Sequence, residues 1–400
     1  MTNVRRHLTI ATIIAISALG LGAAARADHD GGDAYVVTPL VANLTGFGTT
    51  NLDPILQNAW GVAFTPGGSP FWINDNATGC ATLYDGAGAK QALQVSIPLP
   101  GNVVPSTACK ALTSSTSPTP AAPTGMVWNP SSAFHVPGTA SSASFIFDTE
   151  DGTISAWSGG ASAVVAVDNS KSPTAANGAV YKGLVYGVNV KGVFLFATNF
   201  RAGTIDVFGP NPITAPATTA GQFTAATTDG GFTDPDIPQG YAPFGIQNIN
   251  GDLFVTYAKQ NAEKHDDMAG PGNGFVDVFD TDGHLLMHFA RRGKLNSPWG
   301  VARASSAFGR YSGDILVGNF GDGKINVFDS TGQFIDQLEG INGKPLVIDG
   351  LWTLTLGGGK NSSSDTMYFT AGPDGETNGL FGTIAPIFQS KHDDKDGDGK

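Results

Sequence analysis

Charge is scarce in this chain, and positive charge most of all. Only 14% of its 400 residues are Asp, Glu, Lys or Arg, and 34 acids stand against 22 bases, for a net of −12. Nucleic acid and anionic lipid both reward clustered Lys and Arg, so neither is an expected partner. Cysteine is nearly absent: Cys80 and Cys109 are the only two, and nothing around either suggests a metal site or an activated thiolate. No convincing amphipathic helix follows the first thirty residues. The chain also lacks a nucleophile elbow, a P-loop, a dinucleotide fingerprint and a paired zinc motif.

What is present begins with an export signal. Arg5, Arg6 and His7 supply a basic start, Leu8 to Leu21 an apolar run, and Ala25-Arg26-Ala27 a small-x-small cleavage site. The alternative is a membrane anchor, but the run falls short of the ~20 residues a spanning helix needs. Residues 1–27 are therefore expected to leave as a signal peptide, and no later apolar segment reaches spanning length, so a periplasmic or secreted location follows. Loss of Arg5, Arg6 and Arg26 takes Lys plus Arg from 22 to 19 and the net charge from −12 to −15. An oxidising compartment makes a Cys80–Cys109 disulfide the expected state, against two buried free thiols; such a bridge is worth about 3 to 4 kcal/mol.

The body of the chain repeats itself. A run of β-formers, a turn of Asn, Asp and Gly, and a strand of pattern Gly-x-Ile-x-Val-aromatic recur. Copies start at Phe71 (FWINDNATGCATLYDGAG), Phe145 (FIFDTEDGTISAWSGG), Phe194 (FLFATNFRAGTIDVFGP), Leu253 (LFVTYAK, with GFVDVFDTDG from Gly274), Ile315 (ILVGNFGDGKINVFDSTG) and Met367 (MYFTAGPDGETNGLFGTIAPI). A shorter apolar segment carrying an early Gly precedes each: AWGVAF, TGMVW, KGLVYGV, PFGIQNI, PWGVAR and DGLWTLTL. Six hairpins with six leading strands predict an all-β, six-bladed β-propeller over residues 28–387, the Gly-bearing strands innermost, where backbones crowd. The sixth copy has no outer strand of its own, and AYVVTPLVANL from Ala34 has no blade of its own, so the N-terminal strand is expected to close the ring on the last blade. Residues 98–123 and 210–231 read as flexible inter-blade loops. Residues 388–400 read as a disordered acidic tail, since Asp394, Asp396, Asp398 and Gly399 open an EF-hand-like loop that lacks its final acid.

Units such as GNFGDGKINVFDSTGQF resemble NHL-repeat propellers. From about Tyr35 to Ile387 the set resembles a group of secreted bacterial six-bladed propellers of unassigned function, many of which end in an exosortase (PEP-CTERM) sorting tail. This chain ends in KHDDKDGDGK, without that tail. The resemblance implies a fold and a location but no activity.

Turns joining second to third strands should share one face, placing Asn74, Asp75, Asp148, Glu150, Asp151, Asn199, Asn319, Asp322 and Asp374 around a rim. They are either ligands for a hard cation such as Ca2+ or a polar substrate, or plain turn formers. The fourth turn, residues 258–274, is longer than a hairpin needs. Its Lys259, Gln260, His265, Asp266 and Asp267 are the expected ligand contacts, with His265, Asp266 and Asp267 as the candidate divalent-metal set; the alternative is a solvated charged loop. Two functions remain open: a noncatalytic propeller binding a protein, glycan or small ligand on this face, or a divalent-metal-dependent lyase or lactone hydrolase of the six-bladed type.

Overall fold

In a computed structural model, residues 34–112, 117–210 and 221–387 are described; the expected leader and acidic tail lie outside them. Strand β1 (Ala34–Ala42) comes first. Blade 1 is β2 (Ala59–Ala63), β3 (Phe71–Asp75), β4 (Cys80–Tyr84) and β5 (Lys90–Ser96); blade 2 is β6 (Pro123–Trp128), β7 (Phe145–Thr149), β8 (Thr153–Trp157) and β9 (Val164–Asp168). Blade 3 is β10 (Tyr181–Asn189), β11 (Gly192–Asn199), β12 (Thr204–Pro210) and β13 (Phe223–Ala226); blade 4 is β14 (Tyr241–Ile249), β15 (Asp252–Lys259), β16 (Phe275–Phe279) and β17 (Leu285–Arg291). Blade 5 is β18 (Pro298–Arg303), β19 (Ile315–Asn319), β20 (Ile325–Phe328) and β21 (Phe334–Gln337). Blade 6 has β22 (Leu351–Leu356), β23 (Met367–Ala371) and β24 (Leu380–Ile387), and β1 pairs antiparallel with β24 as its outer strand. The six-bladed ring and its closure by the first strand are as the repeats predict.

The blades hold together through six apolar clusters, one at each interface. Trp72 of blade 1 stacks on Phe145 of blade 2 at 4.2 Å; Tyr35 of β1 packs on Phe308 and Tyr311 beside blade 5. Each blade buries both faces, as a propeller requires. The Cys80–Cys109 disulfide is formed. It anchors the stretch after blade 1 that reads as a flexible loop in sequence. The other expected loop, residues 210–231, contains β13, the outer strand of blade 3: that strand is four residues of mixed exposure, too short to stand out.

One irregularity repeats in all six blades. The inner strand carries one extra residue against its partner, between Ala59 and Val62, Pro123 and Met126, Tyr181 and Leu184, Pro243 and Ile246, Pro298 and Val301, and Leu351 and Leu354. Each is a β-bulge at the residue pair x-Gly, or Trp352-Thr353 in blade 6. At Gly61, Gly125, Gly245 and Gly300 neighbouring inner strands leave no room for a side chain: a methyl on Gly125 would lie 2.2 Å from the Leu184 amide nitrogen, and one on Gly245 2.3 Å from the Trp299 carbonyl oxygen; Gly183 is less crowded, with its nearest contact at 3.3 Å.

Candidate functional site

The bulge turns the first residue of each pair toward the mouth of the channel. Reading round the ring, those residues are Trp60, Thr124, Lys182, Phe244, Trp299 and Trp352. Trp60 and Trp352 stack at 3.6 Å, Trp299 packs edge-on against both, and Phe244 lies 5.9 Å from Trp352. Phe200 and Phe320 complete this aromatic plug. Below it the inner strands line a cavity of about 50 Å3, room for only a few waters.

Lys182 is the one charged member of the ring. Its side chain is only 3% exposed, and its ammonium lies 5.4 Å from the Trp60 ring and 5.9 Å from that of Phe200. It pairs with Glu150, from the turn of blade 2, and stands 3.6 Å from Asp266, from the long turn of blade 4. His265 Nδ1 is 2.7 Å from the same Asp266 oxygen. Asn76 donates to Glu150 at 3.0 Å; Asn58 donates to Asn76 at 3.1 Å and to Glu376 at 2.7 Å, and accepts from Trp352 Nε1 at 2.9 Å. Glu376 reaches this network from three successive left-handed residues, Asp374, Gly375 and Glu376, a conformation that costs energy at the two non-glycine positions.

Burial would lower the Lys182 pKa, but the charge and hydrogen bond of Glu150 outweigh it, and the net shift is upward. Burial pushes Glu376 up to about 7, with the Glu150 charge adding to it. Asp266 is held down to about 2, first by its hydrogen bond with His265 and then by Lys182 against the opposing desolvation. Asp267 is pushed up by burial, which the Ser297 hydroxyl partly offsets. The mouth thus holds an ammonium, a permanently ionised carboxylate and a carboxyl poised near neutrality.

The structure sorts the sequence candidates into two groups. His265, Asp266 and Asp267 reach the mouth because residues 259–268 form a small hairpin of their own, with Met268 N donating to Lys259 O and Asn261 N to Asp266 O. Lys259 serves this hairpin through its backbone carbonyl, and Gln260 spends its side-chain amide on the Phe200 carbonyl at 2.5 Å. Asn74, Asp148, Asn199 and Asn319 are not free rim ligands. Asn74 and Asp148 lie opposite the bulges: Asn74 donates to the Thr124 and Gly125 carbonyls, and Asp148 accepts from the Thr124 hydroxyl and the Gly125 amide. Burial pushes Asp148 up to about 7. Asn199 accepts from the Val180 and Ala202 amides, and Asn319 from the Asn296 amide. These four repair the backbone.

Sequence reasoning took Lys182 for a strand start and left out Asn58, Asn76 and Glu376. Aligning the five x-Gly pairs of blades 1 to 5 exposes Lys182, since the other four residues carry no charge; blade 6 joins the set as Trp352-Thr353 only once its bulge is seen. It also overlooked a second group, at the outer edge of blade 4, where Asp234, Asp236 and His288 have ligand atoms within 4.8 Å of one another. Arg291 bonds Asp234 at 2.7 Å, and the fully buried Asp277, pushed up to about 7 by burial and by Asp234, sits behind.

A divalent metal at the mouth has a geometric candidate set, though not the expected one. Glu150, His265 and Asp266 bring ligand atoms within 4.8 Å of one another, with Glu150 in the place foreseen for Asp267. The set does not fit an ion as it stands: the Lys182 ammonium already pairs with both carboxylates, and a second cation there would meet it at close range.

No family model matches this sequence. Uncharacterised protein L690 of Acanthamoeba polyphaga mimivirus is 30% identical over 335 residues, covering 83% of this chain and 81% of its own. The chain belongs to the L690 family. Protein R648 of the same virus is similar, 29% identical over 353 residues, which is 88% of this chain and 80% of R648. Among solved structures, a gluconolactonase, XC5397 of Xanthomonas campestris, aligns with a TM-score of 0.44 at 13% identity over 83% of this chain and 86% of its own. Virginiamycin B lyase of Staphylococcus aureus aligns at 0.42 and 13%, over 89% and 100%. Neither bears on the chemistry of this chain, and the L690 family brings no activity with it.

Proposed function

We propose that this protein binds a small hydroxylated, sugar-type ligand at the mouth of its central channel, on the face carrying the second-to-third-strand turns. Lys182 carries the reading. Burying an ammonium is expensive even when it is paired, and the fold does not need it, because the equivalent positions are Trp60, Thr124, Phe244, Trp299 and Trp352. A charge retained against that cost is most simply explained by what it binds. The ligand class follows from the neighbours. Glu150, Asp266, Asp267 and Glu376 accept hydroxyl donors, Lys182 donates, and the partly buried Trp299 and Phe320 offer apolar faces on which a sugar ring can lie. Trp60 Nε1 is buried without an acceptor, an unpartnered donor within the aromatic plug.

A second reading, acid–base turnover of that ligand, is favoured by one observation: Glu376 at about 7 and Asp266 at about 2, both of which feel the Lys182 charge, supply a proton donor and an ionised acceptor whose environments push them apart. We also place the protein outside the cytoplasm, a reading supported by the Cys80–Cys109 disulfide and in keeping with the expected leader. No helix among the described residues is long and apolar enough to cross a membrane.

Three tryptophans line the mouth, so their fluorescence reports occupancy. Titration with a panel of mono- and disaccharides and sugar acids should find a saturable ligand whose affinity falls at least about tenfold in D266N. If no member of the panel perturbs the tryptophans, or if D266N binds as wild type does, the ligand class or the site is wrong.

A further inference from the structure

The misfit between the acidic mouth and a metal ion has a specific cause. Lys182 Nζ pairs with Glu150 and faces Asp266 at 3.6 Å, and these two acids and His265 bring ligand atoms within 4.8 Å of one another. That spread matches the span across one Ca2+ coordination sphere, whose oxygens sit about 2.4 Å from the ion. Below the ammonium is aromatic surface, Trp60 and Phe200, and around it are the further carboxylates Glu376 and Asp267, both of which feel its charge. Four carboxyl groups therefore converge on a single, tethered cation.

We propose that Lys182 is a built-in replacement for a divalent cation: its ammonium occupies the place a hard metal ion would take among Glu150, Asp266 and His265, so the site works without a resident metal, and removing the ammonium turns it into a Ca2+ site. The proposal rests on reading the channel mouth as the binding site. The two fail separately, since sugar titration tests that reading and ion titration tests this one. Without Lys182, the largely buried Glu150 is left without its ion-pair partner, a condition that destabilises strongly. An ion that restores the charge should restore the stability.

The test uses the full mature chain, stripped with chelator, and Ca2+ as the probe. Wild type should show no saturable Ca2+ binding by calorimetry up to about 1 mM, the weak end of extracellular Ca2+ sites, and a melting temperature indifferent to EDTA. K182A should melt well below wild type in EDTA, take up one equivalent of Ca2+ and recover most of the loss; K182A/E150Q should not bind it. If K182A does not fold, K182Q, which keeps the reach of the side chain and removes the charge, is measured in the same way. Equal Ca2+ binding by wild type and K182A overturns the proposal. So does a folded variant that binds none, or failure of both variants to fold at any Ca2+ concentration.

Discussion

Among the described residues, two clusters bring together carboxylates, a histidine and a basic side chain, and they obey different rules. At the edge of blade 4, Asp277 sits on the third strand at a position that is polar in most blades: Thr82, Ser155, Asp206 and Asn326 hold it elsewhere, and only blade 6 has a glycine, Gly382. At the channel mouth, Lys182 occupies a position that is uncharged in every other blade. Both clusters look like metal sites when judged by atom spacing alone. The repeat distinguishes them. A polar group that recurs from blade to blade is part of the construction of the blade, whereas a charge that breaks the pattern at a cost to stability points to function.

If repeat-obeying parts carry stability, deleting β1 should have the largest effect. It removes buried Tyr35, Val41 and Ala42 and exposes the edge of β24. The expected loss is on the order of 5 kcal/mol or more, read as a collapse of the thermal transition; a truncated chain that melts with the full one would remove the closing role of β1. Next comes D277A, which leaves Asp234, His288 and Arg291 around a buried void. A loss of about 3 kcal/mol is expected by chemical denaturation, with sugar binding unchanged; weakened binding would mean that the edge cluster belongs to the site.

These contrasts also mark what could be read from sequence. The Gly-bearing inner strands, the six hairpins, the closing strand and the disulfide were all legible, because glycine and alternating apolar residues are demanded by geometry wherever they occur. The outer strand of blade 3 was not, because Phe223–Ala226 is short and half exposed. Asn74 and Asp148 were misassigned to the rim because a bulge cannot be seen in one strand alone: it appears only when Ala59 and Val62 are set against Asp75 and Ile73. Glu376 was missed because its approach to Asn58 depends on three left-handed residues. No local pattern announces such a turn.

The channel mouth can be probed by pH. Glu376 keeps its proton to about 7 when folded, against an ordinary value of 4.5. The folded state therefore binds the extra proton between those values, and stability from this group falls as pH rises through that window. E376Q removes the dependence, so it should match wild type near pH 4.5 and exceed it at pH 8 by about 3 kcal/mol. Parallel stability curves for the two proteins would show that Glu376 titrates normally.

The smallest expected effect on stability belongs to the variant that removes both partners of the buried pair, K182M/E150Q. Replacing a buried ion pair with groups of similar volume is commonly neutral or stabilising, and here it restores the uncharged character of the other five ring positions. Its melting temperature, measured beside wild type in EDTA, decides whether the pair serves binding or the fold. A value equal to or above wild type is expected, together with loss of sugar binding. A fall as large as that of D277A would contradict the binding role, because the pair would then be part of what holds the propeller together.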